Sequence, residues 1–397
     1  MKRKRLLTKL CIVSLTLTLL AVTLATPYPV SATQTPPKPE MISTSGYGVG
    51  GAAYAIFAAV GEGMLKKFGI RFRQSPVATG VSRLLAARVG QTDVAGTSLD
   101  TFFAIEGLYD FADFAWGPQP IRITYQCVKV DPYAMATRGD SGIKTFADLK
   151  GRKVPKILAS PNSDLMVQAS LAWAGLTYDD VTVVETTSYP SGTLKALLDG
   201  TIDIAPMAGG ASYAHQLASG PHGLHWIPMP LENKQGWKKW LKLCPTYFPQ
   251  ESTIGAGLSK DNPQPLTSYI WPVFGCYPDR INEDKAYWIT KAIWESYSLY
   301  KDISELMPAW NLEQALKQPC WYPWHEGSIK YLKEIGLWTD RHERNQKKML
   351  ERWAALRGLW DDVVAEAAEK GVHHKKFPEY WLKKRAEKFP GFWQPMD

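Results

Sequence analysis

The chain has little of what most catalytic chemistries require. It holds five cysteines and no C-x-x-C pair, which removes the usual zinc and dithiol redox motifs. No G-x-S-x-G occurs and no S-x-x-K stands at a strand-to-helix turn, so a nucleophilic serine has no legible frame. His222, His225 and the pair His373 and His374 lack a carboxylate or cysteine at ligand spacing; they read as loop and surface residues, and no metal is expected. The adjacent pairs Asp179, Asp180 and Asp361, Asp362 point in different directions on a helix and read as solvated. No catalytic residue is assigned, and a periplasmic transferase or hydrolase remains only as the competing class.

Charge of one sign is also scarce once the N-terminus is set apart. The formal net charge is +8, but Lys2, Arg3, Lys4, Arg5 and Lys9 all precede or begin the apolar run "LCIVSLTLTLLAVTLA". A basic start, 16 apolar residues and the small-x-small "VSA" before Thr33 form the pattern of a secretory signal peptide over residues 1–32, which places the mature chain in the periplasm. The alternative is a membrane anchor, which needs about 20 apolar residues. Cleavage after Ala32 leaves 365 residues with a net charge of +3, enough chain for two lobes. Nothing in it forms the basic stripe of a nucleic-acid binder. Cys127, Cys244, Cys276 and Cys320 remain. Of the three possible pairings, Cys244 with Cys320 is favoured, because both fall in proline-flanked loops while the other two fall in predicted strands.

What the chain does have is alternation. From residue 52 to 230, short β-rich runs alternate with helical stretches, the signature of parallel βαβ units. "AAYAIFAAVGEGMLKKFG" reads as a helix ending at Gly69, and "GVSRLLAARVGQ" as a shorter one with Leu84, Leu85, Ala87 and Val89 inward. "IRITYQCVKVD" alternates as a strand, and "SGIKTFADLKG" opens a second unit with Thr145 and Asp148 at capping-box spacing. Beyond residue 230 tryptophan, lysine and proline rise, and "NEDKAYWITKAIWESYSLYKD" is a helix with Asn282 as N-cap. The last stretch places Met349, Trp353, Leu356, Trp360, Val363 and Ala367 on one helical face. That face suits a tail docked on a lobe, or a surface for a partner.

The recurrent chemical feature is a small polar loop at a helix start. "ISTSGYGVGGAAYAIF" contains G-x-G-x-x-G at Gly46, Gly48 and Gly51. A dinucleotide site would need a strand before it and a carboxylate ending the next strand; only "MIS" precedes it, and "IRFRQS" ends in Ser75 and Pro76. No cofactor is expected. Thr44 and Ser45 before Gly46, Thr79 before Gly80, the strand tip Ser98, and Ser160 to Ser163 in "SPNS" offer hydroxyls and unpaired N–H groups instead. Converging outside the ends of parallel strands, such loops suit an anion; each alone is also an ordinary helix cap.

These segments, with "GLTYDDV", "YPSGTLKALLDGTIDIAPMAGG" and "PWHEGSIKYLKEIGLW", resemble, in order and spacing over residues 41 to 338, the TAXI family of solute receptors of tripartite (TRAP) transporters. The resemblance implies an α/β, two-lobed periplasmic binding protein, a type II-like clamshell, here with a helical C-terminal extension. Lobe I would comprise 41–137 and 240–340, lobe II 138–239, and the extension 341–397. The partners implied are a small organic anion, a carboxylate, and the membrane permease of a TRAP transporter; a monomer is expected, and an ABC importer could use a similar receptor. Site residues implied are Thr44, Ser45, Gly46, Tyr47, Gly50, Gly51, Tyr54, Thr79, Gly80, Ser82 and Ser98 in lobe I, with Ser160, Asn162, Ser163 and Gly209 answering from lobe II. Thr79→Val or Ser163→Ala should then weaken binding about tenfold. Departures from the family pattern are Ala53 and Ala55 beside Tyr54, and Asp164 and Leu165 after Ser163. Together with Tyr47 and sixteen tryptophans they point away from a glutamate-like ligand toward a larger or partly apolar one.

Overall fold

Ile42 to Ser45 are buried on both faces, as a strand flanked on two sides must be. In the computed structural model, which describes residues 35–49, 51–186 and 191–396, this segment is β1 (Met41–Gly46). The expected signal peptide and Gly50 lie outside the described residues. α1 (Ala52–Phe68) follows and is closed by Gly69 at φ 69°, whose N–H returns to Leu65; only glycine takes that backbone freely. β2 (Arg71–Pro76), α2 (Gly80–Arg88), β3 (Val94–Gly96), α3 (Asp100–Glu106) and β4 (Arg122–Val128) complete the first pass. β1 runs parallel to β2 and β3.

The chain then leaves this sheet through β5 (Tyr133–Arg138), β6 (Lys153–Ile157), α4 (Pro161–Ala174), β7 (Thr182–Thr186), α5 (Ser191–Leu198), β8 (Ala205–Ala208), α6 (Ser212–Ser219), β9 (Leu224–Trp226) and α7 (Lys234–Leu243). It returns through β10 (Tyr247–Ser252) and the 13-residue β11 (Gln264–Cys276). The helices α8 (Glu283–Glu295), α9 (Tyr297–Tyr300), α10 (Leu312–Leu316), α11 (Glu326–Glu334), α12 (Asp340–Glu369) and α13 (Phe377–Lys388) follow. Six strands form one sheet in the order β10-β11-β3-β1-β2, with β4 also paired to β11. The excursion forms a second group: β8-β5-β9 in one sheet, β6-β7 in another. The protein is thus two-lobed α/β.

Three expectations need correction. The second group is only partly parallel: β6 and β7 are, but β8 and β9 both run antiparallel to β5, because the chain enters that sheet against the direction of its later strands. Thr145 and Asp148 do form a capping box, yet what they cap is one 3₁₀ turn, Phe146–Leu149. The buried face of α2 is Gly80, Arg83, Leu84 and Ala87, the spacing of a true helical stripe; Leu85 and Val89 are about half exposed, so it is a charged residue that turns inward.

The core of the first sheet is aromatic. Phe57 of α1 is fully buried and stacks on Trp271 with centroids 5.8 Å apart, beside Phe274 at 4.9 Å and edge-on to Trp310. Gly96 must be glycine here, since a Cβ would lie 2.7 Å from the Phe57 ring. The four cysteines are buried free thiols, so the expected Cys244–Cys320 bridge is absent. Cys244 ends α7 inside the main core, whereas the Cys320 carbonyl faces Trp393 near the C-terminus. Burial pushes all four thiols upward, Cys320 to about 11.

The helical extension is a docked tail. Leu356, Trp360, Val363 and Ala367 of α12 close a second small core with Ala112, Phe377 and Trp381. Trp360 lies over Gly117, where a Cβ would approach to 2.5 Å, and Trp381 donates its indole N–H to Gly107. Glu106, 2% exposed, takes both arms of Arg352 at 2.7 and 2.8 Å and is also bridged by Arg385. Among the described residues no helix is long and apolar enough to cross a membrane. Glu106→Ala strands Arg385 in the interior and is expected to lower stability in urea by about 3 to 5 kcal/mol, since an uncompensated buried charge is left. The four thiols are expected to resist a water-soluble disulfide reagent in the native protein and to react in denaturant.

Candidate functional site

Gly51 precedes α1 in extended backbone and has no side chain with which to cap it, so the first amides of the helix lack a side-chain partner. Ala52 and Ala53, the first residues of that helix, line a cleft between the two groups of strands. The first lobe contributes the loop and its neighbours. Tyr47 donates its hydroxyl to the Thr97 carbonyl at 2.7 Å, and the Arg83 guanidinium sits 4.1 Å above its ring. Burial pushes the Tyr47 phenol up to about 12 against the opposing pull of Arg83. Arg83 itself is 3% exposed, anchored by Nε to the Gly96 carbonyl at 2.8 Å. Its Nη1 also reaches the Val77 carbonyl at 3.5 Å, so backbone carbonyls fix the plane of the guanidinium beside the cleft.

Two further charged residues reach the cleft. Lys129 at the end of β4 pairs with Asp131 at 2.7 Å and lies 5.4 Å from the Trp271 ring. Asp100, the first residue of α3, is 1% exposed. Its Oδ2 accepts from Ser98 Oγ at 2.8 Å and its Oδ1 from the Asn162 backbone N–H at 2.9 Å. Burial raises its pKa, with Arg83 and these two donors opposing. The second lobe supplies the N-terminus of α4. Ser160 donates to Ser163 at 3.2 Å, Ser163 shares a hydrogen bond with Tyr133 at 3.0 Å, and Asn162 accepts from Tyr247 at 2.9 Å. Tyr213, Tyr269 and Trp271 wall the remainder. No histidine or cysteine lines the cleft, so its serines have no adjacent general base of the usual kind. Among the described residues no group of three or more His, Cys, Asp or Glu is gathered to hold a metal.

Of the residues expected from sequence, Tyr47, Gly51, Ser98, Ser160, Asn162 and Ser163 line this cleft. Others serve the fold beside it. Thr44 and Ser45 are fully buried in β1 and donate to the Ser45 and Arg83 carbonyls. Gly46 is in register with Pro76. Thr79 caps α2 through Ser82 N–H at 3.1 Å and shares a 2.7 Å contact with the Ser82 hydroxyl. Gly80 makes room for Asp100, whose Oδ2 would lie 2.0 Å from a Cβ there. Tyr54 is not among the residues lining the cleft, and its carbonyl accepts from Gln74; Gly209 packs on Pro132 and Gly255. Asp164 turns away, accepting from Ile157 N–H and Tyr178.

Sequence reasoning missed Ala52, Ala53, Arg83, Asp100, Lys129, Tyr133, Ala208, Tyr213, Tyr269 and Trp271. Apart from Ala52 and Ala53 on α1 and Tyr269 and Trp271 on β11, they are single residues on separate elements, without a local motif. One signal was present: Arg83 stands at i+3 from Gly80 and i+4 before Ala87, on the stripe a helix buries.

Residues 46–336 match the NMT1-like family, and the chain belongs to that family. No curated protein matches it. Among solved structures it is similar to the periplasmic aliphatic sulphonate binding protein SsuA from Escherichia coli, at 16% identity over 91% of this chain and 94% of that one, with a TM-score of 0.40. It is similar too to the alkanesulfonate-binding protein SsuA from Xanthomonas axonopodis pv. citri bound to MOPS, at 13% identity, 81% and 94% coverage and a TM-score of 0.44. A third is substrate binding domain 2 of GlnP from Lactococcus lactis, in an open conformation, at 12% identity, 70% and 97% coverage and a TM-score of 0.37. Likeness at this level bears on neither the ligand nor the transport partner.

Proposed function

From membership of the NMT1-like family and the geometry of the cleft, we propose that the protein is an extracytoplasmic solute receptor that captures a small organic anion and delivers it to a TRAP-type permease. The observation that carries the reading is the unblocked N-terminus of α1 beside the buried Arg83, inside a cleft walled by both lobes. Helix amides and a guanidinium are both donors to an anion. Among the described residues no histidine or cysteine lines the cleft, and the carboxyl group beside the Ser98 hydroxyl, Asp100, is also held by the Asn162 N–H, which favours capture over turnover. The basic, apolar N-terminus supports export to the periplasm. The TAXI resemblance supports the TRAP permease, while family and cleft suit an ABC importer equally. Lobe I is proposed as 41–137 with 240–340 and lobe II as 138–239; strand pairing favours chain crossings between β4 and β5 and between α7 and β10.

A receptor gains stability by RT ln(1 + [L]/Kd), about 2.7 kcal/mol at a hundredfold excess over Kd, without consuming its ligand. Calorimetric screening of organic acids is expected to find one that raises the unfolding temperature and is recovered unchanged. Arg83→Gln should then weaken that acid about tenfold to a hundredfold, the worth of a hydrogen bond to a charged group of about 1.5 to 3 kcal/mol. An acid that is chemically converted, or one that binds the variant as tightly as the parent, would refute the reading. Reconstitution beside each class of permease decides between the two transporter types.

A further inference from the structure

The cleft presents two helix N-termini, but they are not equally open. That of α1 has no side-chain cap. That of α4 is already occupied: Asp100 reaches across from the first lobe and accepts the Asn162 N–H at 2.9 Å. The reach is built in. Ser98 holds the other carboxylate oxygen at 2.8 Å, and Gly80 lacks the Cβ that would collide with it. The second cation is also spent, because Lys129 pairs with Asp131 at 2.7 Å and Asp131 is further fixed by the Gly210 N–H at 3.1 Å. Two cations and two carboxyl groups of the chain therefore already meet here, and among the described residues Arg83 with the N-terminus of α1 is where an added negative charge meets donors. A second negative group on the ligand would enter a buried site that already holds the carboxyl group of Asp100, an arrangement that like-charge repulsion and desolvation both oppose.

The remaining wall is aromatic. Tyr133 and Tyr269 stand 5.6 Å apart, Tyr47 meets Trp271 edge-on at 6.3 Å, and Tyr213 closes the side of the second lobe. Such rings take a flat apolar body by offset or edge contacts.

The geometry points to an acid with a single negative charge and an aryl body as the ligand class, with Asp100 as the residue that excludes a second acidic group. This rests on the receptor reading above. The acid group sits at Ala52, Ala53 and Arg83, and the ring lies against the exposed faces and edges of the tyrosines that wall the cleft.

The test is calorimetric titration of the ligand-stripped mature protein with 3-phenylpropanoate, glutarate and glutamate. The aryl acid is expected to bind at least a hundredfold more tightly than glutarate. In Asp100→Asn, which keeps an acceptor for Asn162 but removes the charge, that ratio should fall at least tenfold. Glutarate or glutamate binding within tenfold of the aryl acid would overturn the inference and leave the receptor reading standing. So would an unchanged ratio in the variant. Binding of none of these acids, nor of any in the wider screen, would sink both. The parent ratio stands as evidence even where the variant does not fold.

Discussion

Thirteen residues, Gln264–Cys276, hold the first lobe and the cleft together. β11 pairs with β10, β3 and β4, so it satisfies its backbone groups with strands drawn from both passes of the chain. A strand places alternate side chains on opposite faces, and here the two faces have different tasks. Tyr269 and Trp271 line the cleft. Ser268, on the other phase, donates to the Lys129 and Asp131 carbonyls and so fixes the crossing by which the chain leaves for the second lobe. A register slip of one residue would exchange these roles.

α3 shows how charge is used around that frame. It has seven residues and a carboxylate at each end. Asp100 at its N-terminus sits where a helix dipole favours an anion, and it reaches a second helix start as well. Glu106 at its C-terminus sits where the dipole disfavours one, and two arginines of the extension compensate. Arg385 is held low by burial and raised by Glu106. The extension is thereby tied to the helix that begins at the cleft. Its attachment and the organisation of the site share one short element.

Much of the architecture was legible. The strands "IRITYQCVKVD" and "YIWPVFGCYP", the cap at Asn282 and the buried stripe of the last long helix are local patterns, and they fall where β4, β11, α8 and α12 stand. The antiparallel partners of β5 were not legible, because strand direction depends on which distant strands come to flank it. Thr79 illustrates the limit in the site. A hydroxyl before a glycine and a helix is equally a cap and an anion donor by sequence, and the 3.1 Å bond from Ser82 makes it a cap.

By itself the sequence determined the alternation of strands and helices, the glycine loop that ends in an uncapped helix, and the polar start of α4. These are set by neighbours within a few positions, through backbone freedom and side-chain period. Only the tertiary structure decided that Asp100 crosses to Asn162, that Lys129 is neutralised by Asp131 in a buried pair, that the Cys244 and Cys320 thiols stay free, and that five aromatic rings share one cleft. Lys129 and Asp131 are two positions apart but are buried by distant strands; the others depend on residues tens to hundreds of positions apart meeting in a medium that excludes water. There a charge must find its partner and a ring its neighbours through packing, which no local pattern encodes.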